Sequence, residues 1–79
     1  MDSEQIQAQI ERLVEQEQSL RSAGPGESAE AHAQHLRSIS EQLDQCWDLL
    51  RQRRARMDAG ENPDAAEVRP VGEVEGYRQ

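Results

Sequence analysis

The chain predicts an all-α fold: an antiparallel, coiled-coil-like two-helix hairpin with an extended C-terminal tail, completed into a bundle by dimerisation. Three observations carry that expectation. A heptad stripe of His32, Leu36, Ile39, Leu43, Cys46, Leu50, Arg53 and Met57 defines one seam along a long helix, and such a seam needs another helix to cover it. A breaker cluster, Ser22-Ala23-Gly24-Pro25-Gly26-Glu27-Ser28, separates that helix from a shorter amphipathic one, and short connections of this kind join antiparallel neighbours. Only 34% of the 79 residues are apolar, with no Phe, one Trp and one Tyr. A chain this small buries only about 60% of its unfolded surface, so sharing a core with a second copy is attractive.

Each element follows from local signals. Asp2-Ser3-Glu4-Gln5 has the form of a capping box, and Glu4 favours the helix dipole. The first helix is placed at 3–22, with Ile6, Ile10, Leu13, Val14 and Leu20 in a stripe roughly 120° wide. Gly24 ends it, Pro25 forbids its continuation, and residues 23–28 form the loop. Ser28 caps a second helix, 29–59, which stops at Gly60 with Pro63 beyond. A loop centred near residues 25 and 26 sets Leu20 against His32, Glu17 against His35, Leu13 against Ile39, Ile10 against Leu43 and Ile6 against Cys46. Everything after Leu50 then overhangs the hairpin, so residues 1–60 form the hairpin and residues 61–79 an acidic tail.

The overhang is where the sequence places its surplus apolar surface. Trp47 and Leu49 lie about 80° to either side of the Cys46/Leu50 seam, wider than one facing helix can cover. Trp47, Leu49, Leu50 and Met57 are therefore the candidate self-association residues of a homodimer. The chain's own tail is the competing cover. Val68, Val71, Val74 and Tyr77 recur every three residues, a period suited to an extended polyproline-like segment lying on a groove, and they are the candidate tail contacts. Asp64-Ala65-Ala66-Glu67 has capping-box form, so one helical turn is expected before them. On composition alone, a disordered acidic tail is the equal alternative.

Charge limits the partners. A net charge of -7 argues against general nucleic-acid or anionic-membrane binding. Arg51, Arg53, Arg54 and Arg56 form the one dense positive patch, yet at 100° per residue they ring the helix instead of lining a face. Pairing with tail acids Glu61, Asp64, Glu67, Glu73 or Glu75 is the preferred reading. An anionic partner, RNA or a ribonucleoprotein, is the alternative. Every acidic residue except Glu17 is assigned to a solvated helix face or to the tail.

No catalytic or cofactor-binding residues are assigned, and no cofactor is expected. His32 and His35, with Glu17 opposite, could supply three metal ligands, but packing, local ion pairing or a pH-sensitive junction suits them better. One cysteine excludes an intramolecular disulfide and a multi-thiolate zinc site; Cys46, in the seam, reads as a small buried hydrophobe. Gly24-Pro25-Gly26 is turn chemistry, not a phosphate loop. The acidic, Gln-rich Met1 to Gln9 does not resemble a signal peptide and no run is long enough to span a membrane. A cytoplasmic, non-enzymatic interaction protein with an unidentified protein partner is therefore expected.

The run Leu43-Asp44-Gln45-Cys46-Trp47-Asp48-Leu49-Leu50-Arg51-Gln52-Arg53-Arg54-Ala55, with Gly60-Glu61-Asn62-Pro63-Asp64, Val68-Arg69-Pro70 and Val74-Glu75-Gly76-Tyr77, resembles a family of short actinobacterial proteins classed as a domain of unknown function. The resemblance covers nearly the whole chain and implies a small helical protein from a high-GC bacterium, with no activity or site to transfer. In that family the first helix often carries two glutamates followed by a histidine. Here the stretch reads Gln16-Glu17-Gln18, and the missing histidine counts against a metal site.

Overall fold

The computed structural model describes residues 2–26 and 28–72. Helix α1 spans Ser3–Ala23 and helix α2 spans Ala29–Asp58, and the two pack against each other as a hairpin; a single 3-10 turn, η1, follows at Pro63–Ala65. No strand occurs among the described residues. No helix among them is long and apolar enough to cross a membrane.

The helix ends obey local chemistry. Asp2 caps α1 through a full capping box: its carboxylate accepts from the Gln5 amide at 2.8 Å, while the Gln5 side chain accepts from the Asp2 amide at 2.9 Å. Ser28 caps α2 by accepting from the Ala31 amide. These bonds satisfy N–H groups that the first helical turn leaves without partners. At the other end of α2, the Gly60 N–H donates to the Met57 carbonyl at 3.1 Å and the Glu61 N–H to the Arg56 carbonyl at 2.7 Å. This Schellman arrangement needs a left-handed residue after the cap, and Gly60 has φ 75°.

The consequence of that turn is a chain reversal that lays the tail back along α2. Space around Gly60 is open, with nothing near the position of an added Cβ, so the cost of a side chain there is backbone strain alone. Gly60→Ala is expected to lower stability by about 1 kcal/mol, read as a drop in urea midpoint at unchanged m-value. An unshifted midpoint would mean that the reversal does not depend on a left-handed residue.

The core sits mainly at the end of the hairpin away from the loop. Ile6, Ile10 and Leu49 form its buried cluster, with Leu43, Cys46, Leu50 and Ala66 packed against it. Leu13 and Ile39 are buried nearer the loop. Three expectations need correction. Arg53 meets Ser3, with Nε donating to Oγ at 3.1 Å, about one helical turn farther along α2 than a loop-centred register predicts; α1 therefore reaches into the supposed overhang. The turn in the tail starts two residues early, at Pro63 instead of Ala65, and its cap is Asn62, whose side chain accepts from the Asp64 amide at 3.0 Å. Glu17 turns to Arg21 at 3.7 Å instead of making the expected pair with His35, because an i,i+4 partner on its own helix is closer to hand.

Candidate interaction site

α2 presents two distinct faces beyond its contact with α1. Gln45, Asp48, Leu49, Gln52, Arg53 and Arg56 recur at helical spacing and line the face on which the tail lies. Trp47, Leu50, Arg51, Arg54 and Met57 line another.

On the tail-covered face the central group is Asp48, which is completely buried. Arg69 lays its guanidinium across the carboxylate, Nε donating to Oδ2 at 2.9 Å and Nη2 to Oδ1. Gln52 donates to Oδ2 at 2.9 Å, and Arg51 stands 3.9 Å from Oδ1. The Arg69 hydrogen bonds hold the Asp48 carboxyl below its ordinary range; burial opposes this, while the Gln52 bond and the charges of Arg69 and Arg51 reinforce it. A bidentate, charge-assisted pair of this kind fixes geometry as well as charge. It also corrects the expectation that Asp48 faces solvent.

The same face binds the tail's main chain. Gln52 Nε2 donates to the Glu67 carbonyl at 2.7 Å, and Gln45 Nε2 to the Arg69 carbonyl at 3.2 Å. Closer to the reversal, Arg53 joins three segments: it donates to Ser3, to the Pro63 carbonyl at 3.3 Å and to Asp64 Oδ1 at 2.9 Å. Arg56 and Glu61 lie 3.8 Å apart. Ala66 is the tail's apolar contact with the core cluster. Val68, 60% exposed, borders a shallow depression that Ile6, Cys46 and Leu49 share, and Val71 is half-buried. Val74 and Tyr77 lie outside the described residues.

The second face is open. Trp47 is 49% and Met57 53% exposed. With Leu50, Arg51 and Arg54, and with Ser3 and Gln7 of α1, they border a groove of about 360 Å³. Apolar Trp47, Leu50 and Met57 and cationic Arg51 and Arg54 share its lining.

This geometry sorts the residues singled out by sequence. Leu49 is not available for self-association, because Ile6 and Ile10 pack on it and it is buried within the chain. Arg53 is not available to an anionic partner, since it is 7% exposed and committed to Ser3, Pro63 and Asp64. Arg56 stands beside Glu61; Arg51, itself 3.9 Å from Asp48, and Arg54 border the open groove. His35 is exposed at a depression it shares with Arg12, Glu15 and Leu20, and His32 is half-buried. Among the described residues no three His, Cys, Asp or Glu side chains gather as metal ligands. Cys46 is half-buried, and burial pushes its thiol pKa up, which disfavours the reactive thiolate.

Sequence reasoning missed Asp48, Gln45 and Gln52 as a functional group. A signal existed: three polar side chains three and four residues apart on a helix form one stripe, and a tail otherwise acidic up to that point offers Arg69 as its sole cation before Arg78.

No solved structure matches the chain. Among known proteins it is similar to "Uncharacterized protein Rv0898c" of Mycobacterium tuberculosis (strain ATCC 25618 / H37Rv), 51% identical over 80 residues that take in 96% of this chain and 88% of the relative. The same identity and coverage hold for "Uncharacterized protein Mb0922c" of Mycobacterium bovis (strain ATCC BAA-935 / AF2122/97). The family described as "Protein of unknown function (DUF2630)" matches residues 2–79. A helical hairpin with a reversed tail, matched over nearly its whole length, thus belongs to the protein family of unknown function DUF2630.

Proposed function

We propose that the protein is a non-enzymatic interaction module that self-associates through the open groove of α2, with Trp47, Leu50 and Met57 as its apolar contacts. The observation that carries this reading is the half exposure of Trp47 and Met57 beside a helix whose other apolar surface is covered by α1 and the tail. Contiguous exposed apolar side chains rimmed by charge mark interaction surfaces, and aromatic, Met and Arg residues are enriched in them. The five buried apolar side chains among the described residues make a small core, which a second copy would enlarge.

Sedimentation equilibrium tests it. The wild-type chain is expected to dimerise at micromolar concentration, and Met57→Glu to shift the dissociation constant at least tenfold upward by burying a charge in the interface. A wild-type chain that stays monomeric at 100-fold higher concentration would remove the reading.

The second reading, binding of an anionic partner such as RNA or a ribonucleoprotein, is favoured by one observation: Arg51 and Arg54 both border that same groove. Salt separates the two. A two-fold interface sets like patches against each other, so the arginines of two copies repel and added salt strengthens dimerisation. Binding to a polyanion weakens steeply with salt as counterions are released.

A further inference from the structure

Docking of the tail on α2 repeats the chemistry by which proteins grip an extended peptide. Gln45 and Gln52, two helical turns apart, donate to the carbonyls of Arg69 and Glu67, two residues apart in the tail. Such bonds read main chain in an extended conformation, independent of side-chain identity. Between them the buried Asp48 reads a guanidinium with both oxygens, a geometry that lysine cannot reproduce. Beside them, Ile6, Cys46, Leu49 and Val68, together with Gln9, Gln42 and Gln45, line a depression of about 270 Å³ next to the side chain that precedes the arginine. Main-chain contacts, one charged anchor and one partly apolar pocket are the parts of a peptide-recognition site.

The way the tail is held suits a contact that can be released. Its strongest interactions join groups that water solvates well, Asp48, Arg69 and the two glutamines, while Ala66 is its apolar anchor and Val68 stays largely exposed. A segment that served only to complete the core would be better held by apolar packing, since buried ion pairs add little net stability over hydrophobic side chains of similar volume.

We propose that the tail-covered face of α2 is a recognition site for an extended, arginine-bearing segment of another protein, closed in cis by residues 66–70. This site is separate from the Trp47 groove, and it stands or falls independently of self-association there. A different protein is favoured over a second copy by the tether. The turn after Asp58 keeps each tail at an effective concentration of order millimolar next to its own groove, so exchange between copies gains no new contact. A foreign segment gains whenever its own fit exceeds that of the tail it displaces.

The test uses the full chain. Arg69→Gln weakens the cis occupant and leaves Asp48, Gln45 and Gln52 in place; fluorescein-labelled peptides spanning residues 63–72, with Arg or Gln at the position of Arg69, serve as probes in anisotropy titrations. The Arg69→Gln chain, with wild-type helix content by circular dichroism, is expected to bind the arginine peptide at least tenfold more tightly than wild type does. The glutamine peptide is expected to bind it at least tenfold more weakly, and adding Asp48→Asn should abolish that discrimination. Equal affinity for the two peptides, or no binding at all, overturns the proposal. So does wild-type dimerisation at micromolar concentration that Arg69→Gln abolishes, because the occupant would then be a second copy. Should the variant not fold, hydrogen exchange in the wild-type chain decides: amides of residues 64–69 are expected to exchange at least tenfold faster than those of α2 around Leu49, and exchange only through global unfolding overturns the releasable groove.

Discussion

Ile6→Ala is expected to destabilise the protein by about 2–5 kcal/mol, the range for removing a fully buried branched side chain from a packed core. Ile6 has no exposed surface and sits in a buried cluster with Ile10 and Leu49, where α1, α2 and Ala66 of the tail converge. A chain of 79 residues has on the order of 4–12 kcal/mol of stability in total, so the loss takes a large share of it. Urea denaturation followed by far-ultraviolet circular dichroism should show the midpoint falling by a third or more. Val14→Ala provides the control: Val14 is 36% exposed and should cost about 0.5 kcal/mol. If the two variants unfold at the same denaturant concentration, the core is not organised around Ile6.

Asp48→Asn should release the tail while leaving the hairpin folded. The substitution keeps shape and removes the charge that Arg69 grips. Hydrogen bonds to a charged group contribute about 1.5–3 kcal/mol each, but Arg69 retains 27% side-chain exposure and recovers much of its solvation on release. A net loss of about 2 kcal/mol in tail docking is therefore expected, seen as random-coil amide shifts for Val68 and Arg69 with α1 and α2 unchanged. Acid should do the same to the wild-type chain. The Asp48 carboxyl is held below its ordinary value of 3.8 when the tail is docked. Its contribution is thus complete above that value, and lost as pH falls through the lowered one. The Val68 and Arg69 shifts should move below about pH 4 in the wild type and not in Asp48→Asn. A pH-independent tail in both would show that Arg69 is not what holds it.

The hairpin was legible because its signals are local and redundant. Heptad spacing on α2, the Asp2 and Ser28 caps and the Gly24-Pro25-Gly26 breaker all specify two helices meeting at a tight loop. Register was less legible. Counting outward from the loop centre ignores how side chains interdigitate, and the Ser3–Arg53 contact shows the difference amounts to about one turn. Arg53 itself read as an interruption in an apolar stripe; its partners Pro63 and Asp64 come from a segment with no helical period, so nothing in the pattern placed them beside it. Leu49 shows the same gap. Sequence marked it for self-association, whereas it is buried in one cluster with Ile6 and Ile10, against which Ala66 of the tail packs. Asp48 looked like a solvated helix residue because Arg69, the cation that lies across it, comes from a tail that follows it in sequence.

The left-handed turn at Gly60 also sets the order in which the tail can close. Contacts made after it pair Arg56 with Glu61, Arg53 with Asp64, Gln52 with Glu67 and Asp48 with Arg69, each enclosing a slightly longer loop than the one before. Loop entropy grows only slowly with length once the first contact is made, so the segment can zip from the turn outward, every step short. Run in reverse, the zipper frays from its far end. Among the described contacts, thermal opening then breaks the Arg69 clasp before those nearer the turn, and bares Asp48 while Arg53 still ties Ser3 to Asp64, so that the α1–α2 junction stays anchored.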